Sequence, residues 1–283
     1  METQTRKAVR IRPKSPRSRS RHRVAVFTAI DGVLLESRSL AAGENRAAIE
    51  RLLAADVSVI PMSVMTLEEL VPIAEELGLR QAMVIEAGAA IARWKETGWE
   101  VEPCGPPAET FLDVIREIED RSGASLLIYS AREASEAAKI SGRCGAMLHA
   151  SMHRCYTEPF LVEEGDPEAV WQAAEAMGFS IRRGQRFLHL CRQCDEGEAF
   201  VRLRNELQCD LAIGVGGSLV DAEFLTRSDI AIVIPGPEGV DPELLARVPD
   251  ARIAPLPAPD GWALVAEETV RLALASKRRR VAS

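Results

Sequence analysis

Polar side chains follow three predicted strands of this 283-residue chain, at the point where each strand ends. Asp31 follows the first strand, Ser63 follows the second, and Ser218 and Asp221 follow the fourth. In an open parallel sheet, ligands bind at the carboxyl ends of the strands, near the point where the strand order reverses. We therefore expect these residues to share one site. Hydroxyl groups and the amides of nearby helix starts suit a phosphate-bearing ligand.

The elements that must position these residues follow a strand–helix rhythm. Short apolar runs alternate with segments of helical periodicity, which is typical of a parallel, doubly wound sheet. A capping box at Thr66 and Glu69 begins one helix, and Gly78 ends it. The predicted strands cover residues 24–30, 57–62, 82–85, 211–215 and 230–234, and the predicted helices cover residues 44–55, 67–77, 196–207, 218–225 and 260–276.

The pattern changes between residues 102 and 187. Amphipathic helices, predicted at 109–121, 132–142 and 166–178, are mixed there with short strands. Asp166 and Pro167 supply an N-cap and a first-turn proline to the last of them. The predicted fold class is therefore α/β, with a doubly wound parallel-sheet core (residues 24–101 and 188–276) and an inserted α+β cap domain (residues 102–187).

Charge and hydropathy restrict the partners and the compartment. Residues 1–23 carry nine Lys or Arg against one acid, although the whole chain has a net charge of −7. We interpret this segment as a basic disordered arm, because its prolines and Ser/Arg run cannot build a core, and residues 277–283 as a basic tail. Nucleic-acid binding by the arm stays open, although no aromatic residue interleaves its charges. Without a long apolar segment or a secretory signal, we expect no membrane partner and a cytoplasmic location.

The motifs and their order resemble the haloacid-dehalogenase (HAD) superfamily of phosphatases, whose first motif is Asp-x-Asp-Gly-Thr. More narrowly, they resemble the mannosyl-3-phosphoglycerate phosphatase family, which carries a cap between its second and third motifs. The resemblance implies a HAD-like fold for the body of the chain, from about residue 24 to residue 273. The matching segments are Phe-Thr-Ala-Ile-Asp-Gly-Val-Leu-Leu at 27–35, Val-Ile-Glu-Ala-Gly-Ala-Ala-Ile at 84–91, Tyr-Thr-Glu-Pro-Phe at 156–160, Arg-Phe-Leu-His-Leu at 186–190, Asp-Glu-Gly-Glu-Ala at 195–199 and Gly-Val-Gly-Gly-Ser-Leu-Val-Asp at 214–221.

The resemblance also implies a set of catalytic positions, and several lack the residue that the chemistry needs. The nucleophilic Asp of the family corresponds to Ala29, its phosphate-offsetting Lys to Glu196, and one magnesium-binding Asp to Gly217. The acid/base Asp is retained as Asp31, and Asp221 persists near the lost metal ligand. Mg²⁺, the cofactor of the family, prefers carboxylate oxygens in a near-ideal octahedron. We therefore expect weak or absent Mg²⁺ binding.

For a ligand, the resemblance implies a phosphorylated small molecule held by Ser63, with Gly32, Arg186 and Ser218 close by. A structural interpretation competes with each assignment. For Gly32, the alternative is that the turn after the first strand requires a glycine. For Ser63, it is that the hydroxyl only forms a hydrogen bond with an amide at the strand end. A solvated surface is the alternative for Arg186.

Three functions fit the sequence. The first is a catalytically silent relative that binds a phosphorylated sugar or acid, or a protein partner, between core and cap. The second is an active sugar-phosphate phosphatase that uses a water molecule with Asp31 or Thr28, although strand alternation points Thr28 away from the face of Ala29. The third is partner or nucleic-acid binding through the basic arm.

Overall fold

The computed structural model describes residues 23–36, 40–43, 45–105, 107, 111–184, 186–192 and 195–281, with the backbone alone for residues 276–281. Residues 1–22 of the predicted arm therefore lie outside the described residues. Arg23 is described, and its amide donates to Asp210 Oδ2 at 2.8 Å. Arg23, which the sequence assigned to the arm, thus contacts the folded body.

Strands and helices alternate along most of the described chain. The strands are β1 (Val24–Ala29), β2 (Val57–Met62), β3 (Ala82–Ile85), β4 (Ala90–Lys95), β5 (Gly98–Pro103), β6 (Ser125–Ile128), β7 (Thr157–Glu164), β8 (Ser180–Arg183), β9 (Leu188–Cys191), β10 (Leu211–Gly216), β11 (Ile230–Val233) and β12 (Arg252–Ile253). The helices are α1 (Asn45–Ala54), α2 (Leu67–Leu77), α3 (Phe111–Ser122), α4 (Ala134–Ser141), α5 (Gly145–Met152), α6 (Pro167–Ala176), α7 (Glu196–Leu207), α8 (Ala222–Leu225), α9 (Pro242–Arg247) and α10 (Asp260–Val281).

The core is an eight-stranded sheet of order β12-β11-β10-β1-β2-β3-β4-β5. The strands from β12 to β3 are parallel, and β4 and β5 add an antiparallel hairpin at one edge. Along β1, Val26 packs in one hydrophobic cluster with Trp262, and Phe27 packs in the other with Phe200. A parallel sheet that helices cover on both faces requires such strands, buried on both sides. The predicted α/β fold class is confirmed.

The cap is a second, antiparallel sheet of order β6-β7-β9-β8. One face carries α3 and α6, where Phe111, Phe160 and Leu190 are buried together. Because strand residues alternate between faces, the register partners Pro159 and His189 belong to the opposite face. Both residues line a cavity that core residues close from the other side.

Two predicted boundaries differ from the structure. The sequence predicted that the chain re-enters the core at residue 188, but β9 pairs with β7 and β8 in the cap sheet. Short apolar strands look alike in either sheet, so their pattern does not reveal the partner. The predicted tail at 277–283 is helical as far as Val281, because the run of Lys and Arg contains no helix breaker. None of the described helices combines the length and apolarity that crossing a bilayer demands.

Gly88 sets how closely α7 can approach the core sheet, and this contact can be tested. A Cβ at Gly88 would lie 2.5 Å from both Asp195 C and Glu196 N, whereas a Cβ at Gly78 would meet nothing within 4 Å. Both glycines have positive φ, +86° and +70°, so Gly78→Ala is a matched control for the backbone strain alone. We expect Gly78→Ala to cost about 1 kcal/mol of unfolding free energy, and Gly88→Ala about 2 kcal/mol more. Urea denaturation of both variants measures the difference, and equal losses would contradict the packing argument.

Candidate ligand-binding site

A cavity of about 570 Å³ lies between the core and the cap. The carboxyl ends of β1, β2 and β10 contribute to it from the core, and β7, β9 and the segments around α4 and α5 from the cap. The predicted site residues that line it are Ala29, Asp31, Ser63, Arg186, Glu196, Ser218 and Asp221. The topology thus brings together residues that the sequence places up to 192 positions apart.

The end of β1 presents Ala29 to the cavity, while the neighbouring hydroxyl lies elsewhere. Thr28 Oγ1 donates to the Ala29 carbonyl at 2.9 Å and accepts from Trp262 Nε1 at 2.9 Å, on the α10 side of the sheet. Thr28 is fully buried there. Strand alternation predicted this orientation, which separates Thr28 from any ligand in the cavity.

The Asp221 carboxylate accepts hydrogen bonds from its own loop. Its Oδ2 accepts from Gly217 N and Ser218 N at 2.8 Å each and from Ser218 Oγ at 3.0 Å. Burial raises the pKa of Asp221, and these three hydrogen bonds act in the opposite direction. A Cβ at Gly217 would lie 2.9 Å from Val33 Cγ2, so this position packs tightly against the core. The loop after β10 is therefore closed by internal hydrogen bonds.

Glu196 is a buried acid at the start of α7. Its side chain lines the cavity, it is 3% exposed, and Oε2 has no hydrogen-bond partner among the described residues. Burial, and next the charge of Asp221, raise the pKa of Glu196 well above its ordinary value. Glu196, where the resemblance implies a lysine, is thus an acid with a strongly disfavoured charged form.

Two arginines reach from the cap to carboxylates of the core, and no sequence pattern predicted these contacts. Arg143 Nη2 lies 3.8 Å from Asp31 Oδ2, and Arg143 Nε lies 3.5 Å from Glu69 Oε1. Arg154 Nη1 lies 3.9 Å from Glu69 Oε2. Burial raises the pKa of Glu69, and the charge of Arg154 opposes that shift. Both arginines stand outside any regular pattern, so only their tertiary neighbours reveal their role.

Glu86 fixes the cap on the core. Its carboxylate is almost fully buried and accepts from the amides of Cys155 and Tyr156 at 3.0 Å each and from the amide of Thr157 at 2.9 Å. Thr157 Oγ1 donates to the same carboxylate at 2.9 Å, and Arg154 Nε lies 3.4 Å from it. A single core side chain therefore holds three consecutive amides of the cap.

The cap side of the cavity carries neutral hydrogen-bonding groups as well. Burial, and next the charge of Arg154, lower the pKa of His189 to about 3, so its imidazole is neutral. Tyr129 Oη and Ser151 Oγ are 2.8 Å apart. Arg186 lines the cavity, but its guanidinium donates to the carbonyl oxygens of Ile140 and Ser141 at the end of α4. It thereby stabilises a helix C-terminus, where cations are favourable.

The residues of this site do not fit Mg²⁺. Ala29 and Gly217 bring no side-chain oxygen, and Asp221 Oδ2 already accepts three hydrogen bonds. Arg143, a cation, contacts Asp31 at 3.8 Å. Across the described residues, no group of three or more His, Cys, Asp or Glu is placed to hold a metal ion. HAD phosphatases generally use this metal, so the donor set departs from theirs.

Comparison with known proteins identifies the class. A phosphatase of the HAD superfamily from Bacteroides thetaiotaomicron has a similar structure, with a TM-score of 0.65 and 13% identity over 90% of this chain and 97% of that one. A HAD subclass IIB sugar phosphatase gives a TM-score of 0.64 at 14% identity, covering 87% and 98%. The fold is that of the HAD hydrolases with an inserted cap, as the sequence predicted.

Within that class, the resemblance to mannosyl-3-phosphoglycerate phosphatase is also confirmed. A glucosyl-3-phosphoglycerate/mannosyl-3-phosphoglycerate phosphatase from Persephonella marina is 26% identical over 230 residues, which cover 75% of this chain and 85% of that protein. No family model matches the sequence. The chain therefore has the HAD hydrolase fold and is similar in sequence to this phosphatase.

The Glu86 contact predicts how the cap is held. In Glu86→Gln an amide group replaces one acceptor oxygen, so we expect a loss of about 2 to 4 kcal/mol of unfolding free energy and faster hydrogen exchange at residues 155–157. Glu158→Gln is the matched control, because Glu158 is also buried but accepts from Ser130 within the cap, at 2.9 and 2.6 Å. Hydrogen-exchange mass spectrometry compares the two variants. Unchanged exchange at residues 155–157 in Glu86→Gln would refute the contact.

The buried acid at position 196 predicts a pH dependence. Because folding raises its pKa above the ordinary value of 4.5, its contribution to stability is complete below that pH and falls as the pH rises through the folded-state pKa. Glu196→Gln removes this loss, so the stability of the variant relative to the parent should increase from pH 5 to pH 8, by at most about 1.4 kcal/mol per pH unit. Urea denaturation across this range measures the increase. The exposed Glu175→Gln is the control and should show no such trend.

Proposed function

We propose that this chain binds a sugar-acid ligand between its core and cap and does not hydrolyse phosphate esters by the covalent route of the family. The observation that carries the proposal is Ala29, whose side chain lines the cavity at the end of β1. In the phosphatases that the chain resembles, the residue at this position attacks phosphorus and becomes an aspartyl phosphate. A methyl group has no nucleophilic or metal-binding oxygen.

The size of the expected effect supports loss of the reaction. Removing a covalent nucleophile costs well-studied hydrolases about 10⁴ to 10⁶ in rate, which corresponds to roughly 5 to 8 kcal/mol of barrier. Two further changes fall in the same site. Glu196 puts a buried acid where the resemblance implies a cation, and Gly217 brings no oxygen. Three such changes favour loss of the catalytic activity over a change in its rate.

The relative suggests the class of ligand. The Persephonella protein is named for glucosyl- and mannosyl-3-phosphoglycerate, and the cavity of about 570 Å³ has the volume of a small-molecule site. Ser63 and Tyr129 line it with hydroxyl groups. A phosphorylated small molecule is the partner that the resemblance implies, and such binding would serve regulation instead of turnover.

A rerouted phosphatase is the second candidate, because Asp31 lines the cavity next to Arg143. An ionised Asp31 could act as a general base on a water molecule. Thr28 is not available for this role, since its hydroxyl is bound to Trp262 and the Ala29 carbonyl. Binding through the basic arm stays a prediction of the sequence, and deletion of residues 1–22 followed by a nucleic-acid binding assay tests it.

Phosphate release decides between the two candidates. We expect the parent chain to give no Mg²⁺-dependent release above background from a panel of sugar phosphates. The triple variant Ala29→Asp/Gly217→Asp/Glu196→Lys supplies the missing groups, and partial recovery of the nucleophile should raise release by about 10² or more. The double variant Ala29→Asp/Glu196→Lys avoids the close contact with Val33. If the parent turns over and Asp31→Asn abolishes that turnover, the proposal is wrong and the rerouted enzyme is right.

A further inference from the structure

We propose that the cavity selects a hydroxyl-rich ligand that carries no phosphate, and that Glu196 and His189 make this selection. The inference rests on the proposed function, because it names the ligand of the same cavity. It reverses the ligand preference that the resemblance implies. Four features of the described residues carry it.

Several buried side chains of the cavity have polar atoms that lack a hydrogen bond within the described part of the chain, and Arg154 Nε is one of these atoms. Glu196 Oε2 and His189 Nδ1 make no hydrogen bond within the described residues, and the two residues are only 3% and 4% exposed. Buried polar atoms are almost always satisfied, so a ligand that supplies the missing partners is stabilised. A sugar hydroxyl can donate to one atom and accept from another. A phosphate dianion brings acceptor oxygens only.

Two sets of backbone amides that could hold a phosphate are already engaged. At the start of α7, Asp195 Oδ1 accepts from Gly197 N at 2.7 Å and from Glu198 N at 3.1 Å. In the loop after β10, Asp221 Oδ2 accepts from the amides of Gly217 and Ser218. Helix starts and loop amides bind anions because these N–H groups are free. Here two carboxylates of the chain occupy them.

The charges around Glu196 oppose a phosphate. Asp221 is close enough for its charge to act on Glu196, and Asp195 and Glu223 add to that effect. Arg182 is the nearby cation that acts against them, and it lies 3.7 Å from Glu223 Oε1. A dianion would meet the carboxylates of Asp195, Asp221 and Glu223 around Glu196, and like charges brought together weaken binding.

The arginines of the cavity are also committed. Arg143 contacts Asp31 and Glu69, and Arg154 contacts Glu69 and Glu86. Arg186 donates to carbonyl oxygens at the end of α4. A phosphate would compete with Asp31, Glu69 and Glu86 for these guanidinium groups. The hydroxyl groups of a phosphate-free ligand require no such exchange.

The test compares mannosyl-3-phosphoglycerate with the same compound lacking its phosphate, by isothermal titration calorimetry on the full chain without Mg²⁺. We expect the phosphate-free compound to bind at least about tenfold more tightly. In Glu196→Lys this preference should reverse. Glu196→Gln keeps the shape of the side chain but removes its acidic group, so it should narrow the preference for the phosphate-free compound without reversing it. It is the variant to use if the lysine variant has a lowered Tm.

His189→Phe should weaken binding of the phosphate-free compound about tenfold, with an unchanged Tm as the control for folding. Tighter or equal binding of the phosphorylated compound, without phosphate release, overturns the inference and leaves the proposed function standing. Phosphate release by the parent chain overturns the proposed function itself. Failure of both compounds to bind overturns both.

Discussion

The burial of one carboxylate, that of Glu86, is the constraint on which the two-domain arrangement depends. A charge removed from water must be compensated by hydrogen bonds or opposite charge. Among the described residues, the cap supplies these groups to Glu86, through the amides of residues 155–157, Thr157 Oγ1 and Arg154. The cap must therefore sit where these groups reach the carboxylate, and that position closes the cavity.

The turn that carries Glu86 also positions the opposite wall of the site. Glu86 and Ala87 have positive φ angles of 48° and 58°, and Gly88 follows with 86°. The missing side chain of Gly88 lets the backbone of Asp195 and Glu196 pack directly against the turn. Residues 86–88 thus determine both the position of the cap on the core and the depth at which Glu196 enters the cavity.

The electrostatics of the cavity form a self-contained set of pairs. Arg143 and Arg154 of the cap balance Asp31, Glu69 and Glu86 of the core. A phosphatase of this class generally balances its carboxylates with Mg²⁺ and a lysine, as the resemblance implies. Here the cap guanidinium groups contact core carboxylates directly. This arrangement favours a closed cap and a ligand that brings no charge of its own to the floor of the site.

The sequence by itself determined the fold class and the elements of the core. Strand β2, the capping box of Thr66 and Glu69, the left-handed end at Gly78 and the bounds of α7 follow from local periodicity and local hydrogen bonding, which act between residues close in the chain. It also placed Ala29, Ser63, Glu196 and Asp221 at one edge of the sheet, because parallel strands share that edge.

Only the tertiary structure decided the partners. The pairing of β9 with the cap sheet, the antiparallel hairpin of β4 and β5, and the reach of Arg143 and Arg154 to core carboxylates depend on groups far apart in the chain. The commitment of Arg186 to the end of α4 is of the same kind. Periodicity shows which face of an element is buried, but not which other element packs against that face. The charge pairs of this cavity depend on which elements pack together, so periodicity does not predict them.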